Sequence, residues 1–426
     1  MIKRIRVEDL EPGMFIADFN APWLRHPFVP NRILLRDRRA IDKMRESGIA
    51  EVHIDTARGK DSPKAVPVEE ANREIETRLR AEVAQPPDTA PESSPRVPFA
   101  AEFRRARQIY AEAKQEVRRQ FDEVRSGRRV DGDGVKESVT AMIESIFRNR
   151  EALLSLSRLK SFDEYTFHHS LNVAVLSLNL SFSLGILESE LLRIGIGTVL
   201  HDLGKVRVPD GLIQKQGSLS PAEFEAVKSH TAHGAKLLLQ ARSVPADCAA
   251  VPLTHHERYD GSGYPRGLSG IGVGKFGLIA AIADVYDAMT SDRPYQKGMA
   301  PTQVLHKLYG WAGTYFHPIY VQRFIQCVGV YPMGSVVSLD TGEVGVVIQQ
   351  NRGQLLRPWV RVGQRASGEP LAVPADVDLR DPDPAGEKPF ARSVARVLET
   401  RQAGFDVAAL LTLGARDLSD TASLSG

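Results

Sequence analysis

Hydrophobic and polar positions change their period several times along the 426 residues. Residues 2–7 and 32–35 carry strand-like apolar content, residues 38–46 follow a helical period, and residues 51–54 read as a closing strand. Gly48 falls where a helix C-cap belongs. Together these predict a small α/β domain over residues 1–66. Residues 67–98 read as a linker, because the stretch 85–98, QPPDTAPESSPRVP, has five prolines and almost no large apolar side chain. From Phe99 to Arg125 the pattern turns helical. Phe103, Tyr110, Val117 and Val124 recur every seven residues, with Ala106 and Ala113 interleaved. Such a stripe suits either a coiled-coil seam, and so a homodimer through helix 99–125, or docking on the neighbouring domain.

Further on, helical periods cover 134–159, 163–185, 188–204, 221–241, 246–256, 275–290, 301–312 and 318–328, with Gly and Pro between several of them. After a helical connector over 99–150, this predicts an all-α domain over 151–330. Beyond Tyr331, residues 336–349 alternate Val and Ile with polar residues around Asp340-Thr-Gly-Glu343, a hairpin signal, and 359–362 and 371–373 suit further strands. A small β extension over 331–380 is expected. The tail, 381–426, holds one helical pattern over 391–413 and a Ser- and Asp-rich end. The fold class is therefore multidomain: an all-α domain between a small N-terminal α/β domain and a small C-terminal β extension.

Composition narrows the function. Lys plus Arg total 55 against 53 Asp plus Glu, a formal charge of +2, which argues against a nucleic-acid coat or a strongly cationic membrane binder. Two cysteines, Cys248 and Cys327, in no Cys-x-x-Cys spacing, exclude a disulfide scaffold and a thiolate metal site and suit a reducing compartment. The N-terminus, MIKRIRVEDLEPGMF, lacks the apolar core of a signal peptide. Residues 171–187 carry no formal charge but are shorter than the roughly 20 residues a spanning helix needs. They also include Asn172, Ser177, Asn179, Ser181 and Ser183. A helix buried inside a cytoplasmic protein with no membrane span is expected.

Histidines supply the chemistry. Of 11, seven lie between His168 and His256: His168, His169, His201, His230, His233, His255 and His256. A lone histidine is usually a satisfied polar residue, but a cluster with carboxylates in one helical domain suits Fe, Mn, Co, Ni or Zn. On a helix over 188–204, the adjacent His201 and Asp202 would point about 100° apart and reach metals beside the helix. Lys205 would follow His201 by one turn. Asp284 lies in an apolar helical run and wants a cation, since an unpaired buried carboxylate is costly. Asp287 follows one turn later. Singly, each of these could be a cap or a surface ion-pair partner.

In order and spacing, YTFHHS, HDLGK, VKSHTAHG, HHERYDGSGYP and ADVYDAMTSDRPY resemble the HD-GYP family, bacterial cyclic di-GMP phosphodiesterases of the HD metallohydrolase superfamily. The resemblance covers about residues 158–331. LEPGMF and WLRHPF are similar to a small domain of unknown function that often precedes this domain. YPMGSVVSLDTGEVGVV is similar to the β extension that often follows it. The resemblance implies a site of two divalent metal ions, Fe or Mn first, with Co, Ni or Zn also compatible. His169, His201, Asp202 and Asp284 would hold one ion, and Asp202 would bridge to a second held by His230, His255 and His256.

It further implies a catalytic role for Lys205 beside Asp202, phosphate binding by Arg293, and substrate contacts from Gly263, Tyr264 and Lys297. His168 and His233 match no ligand position, and Asp287 is expected to touch the site or orient a ligand. Tyr165 stands where some members place a glutamate for a third metal, which favours two. Gln296 replaces a basic residue common in relatives. The expected activity is opening of cyclic di-GMP to linear pGpG, with a second cut to GMP left open, and a diguanylate cyclase or other signalling protein is a further candidate partner. The alternatives are a cyclic di-GMP sensor without turnover and an HD-superfamily hydrolase of another nucleotide.

Overall fold

The structure, a computed structural model, describes residues 1–20, 32–46, 49–71, 77, 96–157, 165–213, 215, 219–292, 298–351, 354–398 and 402–412. WLRHPF, Arg293, Gln296, Lys297 and most of the proline-rich stretch lie outside these residues, as does the side chain of Tyr165.

The N-terminal unit runs β1 (Ile2–Arg6), β2 (Phe15–Asp18), β3 (Ile33–Leu34), α1 (Arg38–Glu46), β4 (Glu51–Asp55) and β5 (Val66–Pro67). The sheet is antiparallel in the order β3-β2-β4-β1-β5. Val52 and Ile54 alternate inward on β4 and meet Ile41 and Met44 of α1 in one core, which gives the expected α/β unit. β2 was not expected from the pattern. Phe15 and Ile16 are both buried and adjacent, so this short strand shows no alternation.

α2 (Phe99–Arg125) and α3 (Gly132–Leu156) pack along each other. Ala106, Ala113, Val117, Phe121 and Val124 are buried in the same core as the helices that follow, so the stripe docks inside the chain and is not available as a seam between copies. α2 is fixed near both ends. The buried Glu102 carboxylate accepts from Arg148 Nε and Nη2 at 2.8 and 3.0 Å and from Ser145 Oγ at 2.7 Å, and Gln120 Nε2 donates to Asp131 O at 3.1 Å.

The helical domain continues with α4 (Tyr165–Ser183), α5 (Glu188–Val199), α6 (Asp210–Ile213), α7 (Pro221–Lys228), α8 (His230–Leu239), α9 (Ala250–Thr254), α10 (Lys275–Thr290), α11 (Pro301–Gly310) and α12 (Pro318–Val328). The charge-free stretch expected to be a buried helix is α4, with Leu171, Val173, Ala174, Val175, Leu178 and Leu180 in the core. No helix among the described residues is long and apolar enough to cross a membrane.

Three expected helices differ, the one over 246–256 because Ala246–Ala249 is 3-10 and only Ala250–Thr254 is α-helical. The one expected over 188–204 stops at Val199, and His201 and Asp202 lie in the turn before a 3-10 segment, Leu203–Arg207. Gly204 explains the break: a Cβ there would overlap His230 O and lie 2.5 Å from Gly234 N, so the chain turns to lay its backbone on α8. Lys205 is therefore placed by this 3-10 turn and not by an α-helical step from His201. The helix expected over 221–241 is two, α7 and α8, meeting at Ser229, with a Ser220–Glu223 capping box at the start of α7.

At the C-terminal side, β6 (Val336–Leu339), β7 (Val344–Gln349), β8 (Trp359–Gln364), β9 (Pro370–Asp378) and β10 (Val394–Leu398) form an antiparallel sheet ordered β10-β6-β7-β8-β9, followed by α13 (Val407–Thr412). The β6–β7 hairpin and the two further strands match expectation. The helix expected over 391–413 does not. Val394 pairs with Leu339 and Leu398 with Val336, so an exposed sheet edge captured a segment whose pattern fitted either period. Only Val407–Thr412 is helical there, and Leu410 packs with Val336, Val346 and Ala403.

The N-terminal unit sits on the helical domain. Lys307 Nζ donates to Asn20 Oδ1 at 3.0 Å, Trp311 Nε1 to Asn20 O at 3.2 Å, and Ala50 N to Tyr315 Oη at 3.3 Å.

Candidate metal centre

His169 comes from α4, His201 and Asp202 from the turn after α5, His230 from the first residue of α8, His255 and His256 from the end of α9, and Asp284 from α10. All seven are buried. The structure brings six of them together in two groups: His169, His201 and Asp202, and His230, His255 and His256.

Asp202 stands between them. Its Oδ2 lies 3.5 Å from His201 Nε2 and 3.8 Å from His169 Nε2, while its Oδ1 lies 3.6 Å from His230 Nε2 and 3.9 Å from His255 Nε2. Asp284 also faces both groups, with Oδ1 3.2 Å from His169 Nε2 and Oδ2 3.9 Å from His256 Nδ1.

The outer ring nitrogens fix the tautomers. His201 Nδ1 is 2.8 Å from Thr198 O, His230 Nδ1 2.7 Å from Val227 O, and His255 Nδ1 3.0 Å from Pro252 O. A carbonyl oxygen only accepts, so each Nδ1 carries the proton and each Nε2 presents a lone pair to the centre. His169 places Nδ1–H on Asp287 Oδ2 at 2.8 Å, but its Nε2 lies 3.2 Å from Asp284 Oδ1 and holds a second proton there, which a cation would displace.

A divalent cation fits this donor set. His230 Nε2 and His255 Nε2 face each other at 3.5 Å, and burial pushes the two imidazoles down to about 4 and about 3. Two neutral rings with both Nδ1 atoms protonated have no proton to share there, and a cation resolves the repulsion. Among the described residues, His201 Nε2, Asp202 Oδ1 and His256 Nε2 are buried without a hydrogen-bond partner, which is costly unless they coordinate.

Burial would raise both carboxyls. Instead the Lys205 ammonium and neighbouring imidazoles hold Asp202 well below the usual range, and His169 holds Asp284 there. Burial works against the His169 imidazolium too, but hydrogen bonds to Asp284 and Asp287 push it up to about 9. Lys205 Nζ lies 2.5 Å from Asp202 Oδ2, and the lysine side chain is 30% exposed against 3% for that of Asp202, so the lysine is the partner that reaches solvent.

The GYP loop closes one wall. Glu257 is 1% exposed and accepts from Arg266 N at 2.8 Å and Leu268 N at 3.0 Å, while Arg258 Nη1 donates to His255 O at 3.1 Å and Glu257 O at 2.8 Å. Gly263 passes so close to the Glu257 and Arg258 backbone that a Cβ would overlap both, so packing alone requires glycine there. This puts the Tyr264 ring 4.8 Å from the His256 ring, with Phe224 edge-on at 6.0 Å and Lys228 Nζ 5.5 Å above it. Arg293 and Lys297 lie outside the described residues.

Several contributors escape the pattern of histidines. Glu257 and Gly204 act on the backbone of the loops that carry the ligand side chains. Asn172 and Tyr110 continue the Asp287 contact outward: Asn172 Nδ2 donates to Asp287 Oδ1 at 3.0 Å, and Tyr110 Oη donates to Asn172 Oδ1 at 2.7 Å. The sequence signals were slight: a polar residue three after His169 in an apolar run, and one hydroxyl in an apolar stripe. His168, placed outside the ligand set, has its Nδ1 3.3 Å from Tyr110 Oη.

Buried histidines and aspartates gathered from short helices around a bridging carboxylate are the hallmark of an HD-type metal-dependent hydrolase. The model for the HD domain matches residues 141–318, and that for a domain of unknown function, DUF3391, matches residues 2–135. The cyclic di-GMP phosphodiesterase PA4108 of Pseudomonas aeruginosa is 38% identical over 365 residues, covering 85% of this chain and 85% of that protein. A cyclic di-GMP phosphodiesterase of Thermotoga maritima is 35% identical over 192 residues, 45% of this chain and 52% of its own length. Among solved structures, the HDG"Y"P protein Bd1817 of Bdellovibrio bacteriovorus covers 76% of this chain and 98% of its own at 18% identity, with a TM-score of 0.45. The chain belongs to the HD-GYP family of HD-domain phosphodiesterases, with a DUF3391 domain on its N-terminal side.

Proposed function

We propose that the chain is a metal-dependent phosphodiesterase that hydrolyses cyclic di-GMP, opening the ring to linear pGpG and cutting this on to GMP. The observation that carries the reading is Asp202, whose two oxygens each face a different histidine group across 3.5–3.9 Å. That arrangement suits two divalent cations sharing one carboxylate: His169, His201, Asp202 and Asp284 would hold the first, and Asp202, His230, His255 and His256 the second. The all-imidazole-and-carboxylate donor set suits Fe or Mn, and also Co, Ni or Zn.

When bound, the cations supply Lewis acidity and a water of lowered pKa. The chain's own residues do the rest. Lys205, the partner of Asp202 that reaches solvent, meets a phosphate oxygen as it arrives and stabilises the charge that grows on it. Tyr264, braced on His256 and Phe224, offers a flat face to a guanine. Arg293 and Lys297 are assigned to the second phosphate on the HD-GYP motif alone.

The test is anaerobic purification, metal analysis, and chromatography of products from cyclic di-GMP beside 3′3′-cGAMP and a cyclic mononucleotide. Metal-dependent release of pGpG and then GMP, with preference for cyclic di-GMP, is expected. Binding without turnover in the loaded protein would make it a sensor, and preference for another nucleotide would overturn the substrate.

A further inference from the structure

Along the seven-residue stripe of α2, Phe103, Val117 and Val124 are apolar and Tyr110 alone adds a polar group. Packing alone would accept phenylalanine there, since Phe103 and Phe121 serve on the same face. The added hydroxyl does something specific. Tyr110 Oη donates to Asn172 Oδ1 at 2.7 Å, on the side of the amide opposite the Asp287 carboxylate, whose acceptor-only oxygens fix the amide nitrogen toward them. The amide nitrogen then donates to Asp287 Oδ1 at 3.0 Å. With that oxygen pinned, Asp287 turns Oδ2 to His169 Nδ1 at 2.8 Å, and Ser291 Oγ donates to the same Oδ2 at 3.2 Å. Asn172 is 4% exposed and Asp287 2%, so no solvent is at hand to substitute for a missing link.

We propose that Tyr110 is a positioning residue of the metal centre: its hydroxyl, acting through Asn172 and Asp287, holds the His169 imidazole in the orientation that binds metal. The inference rests on the metal reading of the site. Without the hydroxyl, the buried Asn172 Oδ1 loses this donor, the amide is no longer held from behind against Asp287, and the carboxylate that orients the His169 ring gains room to shift. Because α2 is fixed by Glu102 and Gln120 and leads from the N-terminal side, its seating sets how tightly the centre holds metal. Removing partners behind a ligand histidine typically costs 10–100-fold in metal affinity. Tyr110 stands two bonds further out, so the low end, about tenfold, is expected.

The experiment titrates Co²⁺ into metal-stripped protein and follows its visible absorption, which reports ligand geometry without any turnover. Four proteins are compared: wild type, Tyr110→Phe, Asp287→Asn and the double variant. Val117→Ala serves as control, since it weakens the packing of the same helix without touching the relay. Tyr110→Phe is expected to bind Co²⁺ about tenfold more weakly with a shifted band, to add nothing in the Asp287→Asn background, and to differ from Val117→Ala, which binds as wild type. Wild-type affinity in Tyr110→Phe, an equal loss in Val117→Ala, or additive effects in the double variant would each overturn the relay. If wild type itself takes up no Co²⁺, the metal reading falls first and the relay with it.

Discussion

Nζ of Lys205 lies 2.5 Å from Oδ2 of Asp202, a carboxylate whose two oxygens each face a different histidine group. The lysine is a donor with no lone pair to give a metal while protonated. Lys205→Ala is therefore expected to keep its metal content and to lose roughly 10²–10³ in kcat, the usual effect of removing one electrostatic donor. Initial rates on cyclic di-GMP beside elemental analysis decide it. Turnover at the wild-type rate would remove Lys205 from the chemistry.

Asp202→Ala tests the shared carboxylate. Because one oxygen faces each group, both of the proposed cations would depend on it, and metal per chain is expected to fall close to zero. Retention of half the metal would show two independent sites.

Gly204→Ala tests how the HD turn is seated. The added methyl meets His230 O and Gly234 N, both backbone and unable to step aside. Overpacking of this kind costs about 3 kcal/mol at its upper range, and here it also pushes His201 and Asp202 away from His230. Urea unfolding of the metal-free protein and its Co²⁺ affinity should both suffer, and a stable variant with normal metal binding would refute the close approach.

Acid should loosen the N-terminal unit through His53. Burial, with Lys307 and Arg4 adding to it against Asp18, pushes this imidazole from an ordinary 6.5 down to about 4. Between those values the unfolded chain binds the proton that the folded one refuses, so stability is present above pH 6.5 and drains away as pH falls toward 4. The loss between pH 7 and pH 5 amounts to about 2 kcal/mol from this group. His53→Gln should flatten that part of the pH dependence in urea titrations. An unchanged slope would mean that His53 titrates normally.

The helical domain was legible because Gly and Pro punctuate apolar periods, and the metal centre because its histidines fall in ordered motifs. What escaped lies in tertiary contact. Ending α5 at Val199 depends on Gly204 meeting the backbone of α8, which no local pattern records. VARVL at 394–398 became a strand because β6 offered an edge. β2 hid because Phe15 and Ile16 are both buried, Ile16 in the apolar core and Phe15 under the Arg58 guanidinium, so adjacent positions show no alternation. Glu257 and Asn172 looked like ordinary polar residues, since what they hold, a loop backbone and a carboxylate, is distant in sequence or carries no motif.

The stripe of α2 has a consequence for how such proteins are recombined. The two family matches meet between residues 135 and 141, which invites an exchange of N-terminal domains at that point. A cut there would strip Ala113, Val117, Phe121 and Val124 from the core and Tyr110 from Asn172. The catalytic fragment would begin inside α3 with an apolar groove open to water. Exchange that preserves activity has to splice ahead of Phe99, within the proline-rich stretch, so the first long helix travels with the enzyme and not with the domain before it.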